Sequence, residues 1–400
     1  MTLRAKLLWV AVLYFAEGFP FGIVVDNLPV YFRLHGVSLV DIGLMSLLGL
    51  PWTLKVLWAP LVDRVGHARR WIAGALTAMS AVLVALPAFD AAAPGTALWA
   101  LLFALTLAAA TQDIAIDAYT IGLLERGEEG LANGVRVSAY RAALIVGGGG
   151  LVAVAGMAGW RAVFLLAAAM LLGLAAVAWR APAIAVESAP RPAWLPSLRG
   201  WIARPGALAV FAFVLTYKLG DASMGPMVKP FWVDRGLSVA EIGLVSTTIG
   251  VALSVVGALC GGAFTSRVGL FRSLWILGLA QAFSNLGYAA AAAAGAGRPG
   301  IYAASALESF TGGLGTAAFL AFLMRACEKE QAATQYALLS ALFGLTRTLA
   351  GAASGVATAR LGYAAYFAFT FVLAFPAYLL LPWVRAWSGE DGRRAADAAT

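Results

Sequence analysis

Asp113 and Asp117 lie inside the run Thr111-Gln112-Asp113-Ile114-Ala115-Ile116-Asp117-Ala118-Tyr119, which is otherwise apolar enough to sit within a lipid bilayer. A carboxylate at the centre of a bilayer costs about 2.5 kcal/mol or more, so it is kept where it faces a protein interior or a wet cavity and takes part in transport or proton movement. Four residues of spacing on a helix stack the two acids on one face, about one turn apart. Reversible protonation along a central path is the chemistry that suits such a pair. An opposite charge within a few ångströms favours the ionised form of an acid, whereas burial alone disfavours it, so an acid whose basic neighbour comes and goes changes its proton affinity. Arg141 is the expected switchable partner of Asp113 and Asp117. The alternative is a set of fixed ion pairs that hold neighbouring helices together.

Depth along the helices brings in further charges. With ~1.5 Å of rise per residue from each predicted cytoplasmic helix end, Asp113, Arg141, Lys55 and Glu17 lie at roughly 15 Å and Asp117 at roughly 10 Å, close to Arg136. These form an inner set. By the same ruler Asp221, Glu308 and Arg347 lie at roughly 24 to 28 Å, with Asp26 and Lys229 further out, and these form an outer set. Glu17, Asp221 and Glu308 therefore join Asp113 and Asp117 as candidate proton-coupling acids, with Glu308 and Arg347 as a second candidate pair. Lys55, Arg141, Lys218, Lys229 and Arg347 supply cations for an anionic substrate. Tyr14, Asn27, Gln112, Tyr217, Trp232, Gln281 and Asn285 supply aromatic faces and amides for a polar or sugar surface, although any one of the aromatics can equally belong to an interfacial belt.

The elements that must position these residues are membrane helices. Of the 400 residues, 62% are hydrophobic and 12% charged, and the mean hydropathy is +0.84, outside the range of soluble globular domains. The net charge of +8 comes from basic residues scattered singly at the ends of apolar segments, which argues for membrane topology and against a nucleic-acid partner. Cys260, Cys327, His35 and His67 show no ligand-like spacing, so neither a disulfide framework nor a metal site is expected. No catalytic triad, nucleotide motif or phosphate loop is visible, so neither an enzyme nor a cofactor is expected. The apolar run after Arg4 and Lys6 carries Glu17 and Asp26 without a small-residue cleavage pattern, and reads as a first spanning helix rather than a signal peptide.

Cutting the chain where charge, Gly and Pro cluster leaves segments at 6–33, 38–64, 71–90, 96–124, 131–157, 160–180, 205–234, 238–265, 271–293, 299–326, 331–358 and 361–386, each meeting the ~20-residue minimum for a bilayer helix. Most basic residues of the connections, among them Arg4, Lys6, Arg64, Arg69, Arg70 and Arg267, fall on one side, which places both termini in the cytoplasm. The Pro- and Arg-rich stretch 181–204 is a central linker between halves 1–180 and 205–386, and 387–400 is a cytoplasmic tail. The halves are related: Gly36-Val37-Ser38-Leu39-Val40-Asp41-Ile42-Gly43-Leu44 recurs as Gly236-Leu237-Ser238-Val239-Ala240-Glu241-Ile242-Gly243-Leu244, and Arg64-Val65-Gly66 as Arg267-Val268-Gly269. An all-α polytopic protein of about twelve helices in two parallel six-helix bundles is the layout of the major facilitator fold, in which substrate binds near the midplane and the halves alternate access. The loop Asp63-Arg64-Val65-Gly66-His67-Ala68-Arg69-Arg70 resembles that superfamily's Asp-Arg-x-Gly signature, which implies a gating role for Asp63, Arg64, Gly66, Arg69 and Arg70; a solvated positive-inside loop is the plainer reading.

Several further motifs carry a narrower resemblance. Glu17-Gly18-Phe19-Pro20, the stretch Leu54 to Arg64 and Gln112-Asp113-Ile114-Ala115-Ile116-Asp117-Ala118-Tyr119 resemble the anhydromuropeptide (peptidoglycan-fragment) permeases and their relatives, the acetyl-CoA transporters. In the second half, Tyr217-Lys218-Leu219-Gly220-Asp221, Ser284-Asn285-Leu286-Gly287-Tyr288 and Glu308-Ser309-Phe310-Thr311-Gly312-Gly313 favour the former. The resemblance implies a multi-pass protein of the bacterial inner membrane, monomeric, importing N-acetylglucosaminyl-1,6-anhydro-N-acetylmuramyl peptides from periplasm to cytoplasm on the proton gradient. It also implies an influence on β-lactamase induction through the imported fragments. The substrate's peptide carboxylates suit the Lys and Arg side chains, and its disaccharide suits the aromatic faces. A carrier of acetyl-CoA or another anionic metabolite is the second transport reading, and a transport-dead sensor or a membrane-embedded enzyme is disfavoured by the absence of an output domain or a nucleophile constellation.

Overall fold

Apolar segments of this length have no water to satisfy their backbone, so they close their hydrogen bonds internally as helices. The computed structural model describes residues 1–64, 67–125, 128–183, 200–327 and 332–388, and nearly all of these are helical. We label the rods α1 (Leu3–Leu34), α2 (39–64), α3 (Ala68–Ala88), α4 (Thr96–Leu123), α5 (129–158), α6 (Trp160–Trp179), α7 (Ala207–Asp234), α8 (Val239–Val268), α9 (Leu270–Ala293), α10 (Arg298–Arg325), α11 (332–361) and α12 (363–387). Among the described residues, nine helices are long and apolar enough to cross a membrane, and Leu39–Leu54 is a shorter apolar one. The 53-residue helical stretch Gln335–Trp387 takes in most of α11 and all of α12. Unbroken, it would run ~80 Å, far beyond a ~30 Å hydrocarbon core. Gly362, at φ 75°, breaks its helical path, a conformation open to glycine because it has no Cβ.

The internal repeat is a pair of matching helix starts. Gly36 and Gly236 both take positive φ, 83° and 70°. Two residues later Ser38 accepts the amide of Asp41 at 3.1 Å, and Ser238 accepts that of Glu241 at 3.2 Å with the Glu241 carboxylate returning to the Ser238 amide. These caps satisfy orphan donors at the first turn, so the sequence repeat marks where α2 and α8 begin.

By contacts the chain forms two units, Met1–Ala189 with Lys229–Thr248, and Pro190–Val228 with Ile249–Thr400. Lys229–Thr248, which lies in the expected second half 205–386, groups by contacts with the first unit. Most of the expected linker (184–199) and of the expected tail (389–400) lies outside the described residues.

Within the first unit, helices approach to backbone contact. Apolar burial gives little drive for helix association in lipid, so small residues and hydrogen bonds supply it. A Cβ on Gly18 would sit 2.8 Å from the Tyr140 carbonyl oxygen, and one on Gly147 2.7 Å from that of Phe19, so α1 lies directly against α5. Gly148 borders Asp26, and a Cβ on Gly149 would sit 2.5 Å from the Gly243 carbonyl oxygen. Arg33 grips Asp234 through two parallel bonds of 2.6 Å, and Lys229 pairs with Asp26. At the repeat-related positions stand Leu34 and Val233, so this fork has no counterpart there. At the other end of α1, Lys6 bonds Glu125 at 2.7 Å and Glu128 at 2.9 Å.

The second unit has its own core around Trp201, Phe213, Tyr217, Leu274, Phe319, Phe322, Tyr378 and Trp387. Its polar tips find backbone partners: Tyr217 donates to the Leu274 carbonyl at 2.9 Å, Trp201 to that of Ala326 at 3.1 Å and Tyr366 to that of Ser223 at 2.7 Å. A Cβ on Gly261 would fall 2.7 Å from the Leu314 carbonyl oxygen, so α8 and α10 also touch through glycine.

Gly149→Leu should overpack the Gly149–Gly243 contact and cost about 1–3 kcal/mol of stability, whereas Gly74→Leu, with nothing within 4 Å of its added Cβ, should not; thermal unfolding in detergent checks both. Glu128 is held below the usual glutamate value of 4.5 by the Glu125 amide first and then by the Lys6 ammonium. A depressed carboxylate contributes stability at neutral pH that is lost as pH falls through its folded value. Glu128→Gln should therefore lower the melting temperature at neutral pH, and the gap from wild type should close as the buffer is made acidic.

Candidate functional site

The inner set predicted from depth assembles within the first unit. Asp113, 6% exposed, and Asp117, half-buried, project from the same face of α4. Lys55 stands 3.7 Å from Asp113 Oδ2 and 3.9 Å from Asp117 Oδ2. The two distances are nearly equal, so its ammonium is shared by both acids. α2 is interrupted by Pro51 and Pro60 and passes through a 3₁₀ turn at Lys55–Leu57, an irregularity of the kind that often accompanies a hinge. Trp58, just beyond, donates to Thr111 Oγ1 at 3.1 Å and fixes α2 against α4.

α1 and α5 complete the cluster. Tyr14 donates to Asp117 Oδ1 at 2.7 Å, and Arg136 lies 3.5 Å from the same oxygen with its guanidinium 4.5 Å above the Tyr14 ring. Glu17, 9% exposed, is one turn along α1 from Tyr14 and interacts electrostatically with Asp113, Asp117, Arg136 and Lys55. Glu17 Oε2, Asp113 Oδ1 and both amide atoms of Gln112 are buried without a hydrogen-bond partner. Buried polar groups are ordinarily satisfied, so such a group of open positions marks a place where a proton, water or ligand can be taken up. Among the described residues, three carboxylates face two cations.

Arg141, expected to pair with Asp113, makes no ion pair with either aspartate; Lys55 and Arg136 hold those places. Depth counting gave its height and not its direction: five residues from Arg136 turn it ~140° around the helix. Below it α5 widens into a π-helical stretch at Ile145–Gly150, where the Gly147 carbonyl accepts Asn27 Nδ2 at 2.6 Å. Lys55 and Tyr14, expected on the substrate path, are partners of the acids instead. Lys229 is paired with Asp26 in the first unit, and Trp232 is fully buried there. Sequence reading left Arg136 and Asp26 out of the site; both were visible as charges level with an opposite charge, Asp117 and Lys229.

The outer candidates of the second unit form a separate group. Lys218, 2% exposed, donates to Gln281 Oε1 at 2.6 Å and to the Gly312 carbonyl at 3.4 Å, and lies 3.6 Å from Asp221 Oδ2. Asn285 donates to Thr370 Oγ1 at 3.1 Å, while Gln281 Nε2 and Asn285 Oδ1 are open. Tyr217 belongs to the core, its ring stacked on Phe319 at 5.3 Å, so it lines no cavity. Glu308 is half-buried beside Ser309, and Arg347 is exposed; both interact electrostatically with Lys218. In the expected gating loop, Arg69 donates to the Ala181 carbonyl at 3.1 Å and ties the start of α3 to the end of α6, while Arg70 is exposed. The side chains of Asp63 and Arg64, and all of Gly66, lie outside the described residues. Cys260 and Cys327 are free thiols.

Known proteins share both sequence and architecture with this chain. A family model described as acetyl-coenzyme A transporter 1 matches residues 6–140. The anhydromuropeptide permease of Escherichia coli K12 is 33% identical over 92% of this chain and 78% of its own length, and a putative transporter of Rickettsia felis, AmpG 4, is 27% identical over 94% and 95%. Among solved structures, the nucleoside transporter NupG superposes with a TM-score of 0.73 at 15% identity, covering 97% of this chain and 99% of that one. A bacterial homologue of the human lysosomal transporter Spinster gives 0.72 at 16%, covering 96% and 97%. The fold is that of the major facilitator transporters, and these relatives are transporters rather than enzymes. At 33% identity to that permease over 92% of its own length, the chain belongs to the anhydromuropeptide permease family.

Proposed function

We propose that this protein is a proton-driven importer of N-acetylglucosaminyl-1,6-anhydro-N-acetylmuramyl peptides, carrying them from periplasm to cytoplasm across the bacterial inner membrane for peptidoglycan recycling. The observation that carries the proton-coupled part is the first unit's excess of acids over cations: Glu17, Asp113 and Asp117 against Lys55 and Arg136. Isolated charge in low dielectric is costly, so such a site takes up and releases a proton as its partners shift. The proton gradient is thus the energy source, and no cofactor is needed. The family relationship supports the substrate class, since the related Escherichia coli protein is named for anhydromuropeptides. The match of residues 6–140 to an acetyl-coenzyme A transporter family favours one second reading, an acyl-CoA carrier.

Uptake of labelled anhydromuropeptide into whole cells, with and without a protonophore, tests the reading. Accumulation should fall to equilibrium when the gradient is dissipated, excess acetyl-CoA should not compete, and saturable uptake that ignores the protonophore would remove proton coupling. Asp113→Asn and Asp117→Asn should each reduce accumulation at least about tenfold with normal membrane expression, as expected of acids kept inside the membrane for function. Arg141→Gln should have a much smaller effect.

A further inference from the structure

The acids of the first unit are not equivalent. Asp117 is held by Lys55, Arg136 and the Tyr14 hydroxyl, and Asp113 by Lys55. Among the described residues no ion pair reaches Glu17, which is 9% exposed and has Oε2 buried without a hydrogen-bond partner. The charged and titratable groups that bear on it are Asp113 and Asp117 of α4, Lys55 of α2, Arg136 of α5 and Tyr14 of its own helix. Two cations cannot neutralise three carboxylates, so one negative charge is left over. Keeping that charge on a buried acid with no counter-ion is the most expensive way to place it. A single proton removes the excess, and it is held most tightly by the acid that no cation serves.

We propose that Glu17 carries the transported proton: in this conformation it is neutral, while Lys55 and Arg136 keep Asp113 and Asp117 ionised. This rests on the proton-coupled reading above and names its seat. Lys55 is the competing cation. It is shared at 3.7 and 3.9 Å rather than committed to one acid, and it sits on the 3₁₀ turn of a helix broken on both sides by proline. When Lys55 moves towards Glu17, ammonium replaces the proton as the charge that balances the carboxylate. The proton then leaves to water; Asp117 retains Arg136 and Tyr14, while Asp113 gives up its ion pair with Lys55 and carries the charge left over. Proton and ammonium thus exclude one another at Glu17.

Infrared spectroscopy of the purified protein at neutral pH should show the C=O band of a protonated carboxylic acid that disappears in Glu17→Gln. Should Glu17→Gln fail to fold, heavy-isotope labelling of the carboxyl carbon in wild type decides: the band should shift with labelled glutamate and stay with labelled aspartate. In proteoliposomes with labelled N-acetylglucosaminyl-1,6-anhydro-N-acetylmuramyl tripeptide, Glu17→Gln should lower substrate-induced proton uptake at least about tenfold, and by several-fold more than it lowers substrate exchange, a split expected when the proton step is the one lost. Glu17→Asp should restore part of that proton uptake. A band that survives Glu17→Gln or follows the aspartate label, or a Glu17→Gln protein that moves protons like wild type, overturns the assignment while leaving proton coupling intact. A wild-type protein that moves no protons overturns both.

Discussion

The cost of keeping an ionised group among apolar helices orders this protein more than any other interaction. In a bilayer the side chains of neighbouring helices gain little from avoiding lipid, so association depends on close backbone packing and on polar contacts. Both are present in the first unit, where Gly18, Gly147 and Gly149 bring backbones together and Lys55, Arg136 and Tyr14 gather around Asp113 and Asp117. The groups that hold the helices in place are therefore the same titratable ones on which the proposed proton coupling rests.

The two halves share an origin in sequence and divide the chemistry unequally. Matching glycines and serine caps start α2 and α8 alike. Beyond the caps they part: among the described residues, the first unit carries a surplus of carboxylate at its cluster, whereas the second buries the Lys218 ammonium against an amide, a carbonyl and one half-exposed aspartate.

Much of this was legible in the residues. Twenty-residue apolar runs fix where helices start and stop, the four-residue spacing of Asp113 and Asp117 fixes a common face, and counting rise put Arg136 level with Asp117 and Asp26 near Lys229. Direction around the helix was not legible, because it depends on which neighbour packs where: Arg141 has the right height and the wrong face, and Tyr217 has a polar tip that a backbone carbonyl consumes. The widened turns at Ile23–Asn27 and Ile145–Gly150 add to this, since each shifts the angular register of everything beyond it. Nor could composition reveal that Lys229–Thr248 groups with the first unit, since a contact between residues so far apart leaves no periodic trace.

That last grouping bears on how the protein is made. The first unit is completed by a segment that the ribosome reaches roughly 100 residues after Gly149, an interval on the order of 5–20 s at ~5–20 residues per second. Until then Asp26 lacks its ammonium, Arg33 lacks its carboxylate, and the bare backbone at Gly149 lacks its cover. A nascent first half therefore waits in the membrane with matched but unfilled positions, and the insertion of α7 and α8 is the event that closes it.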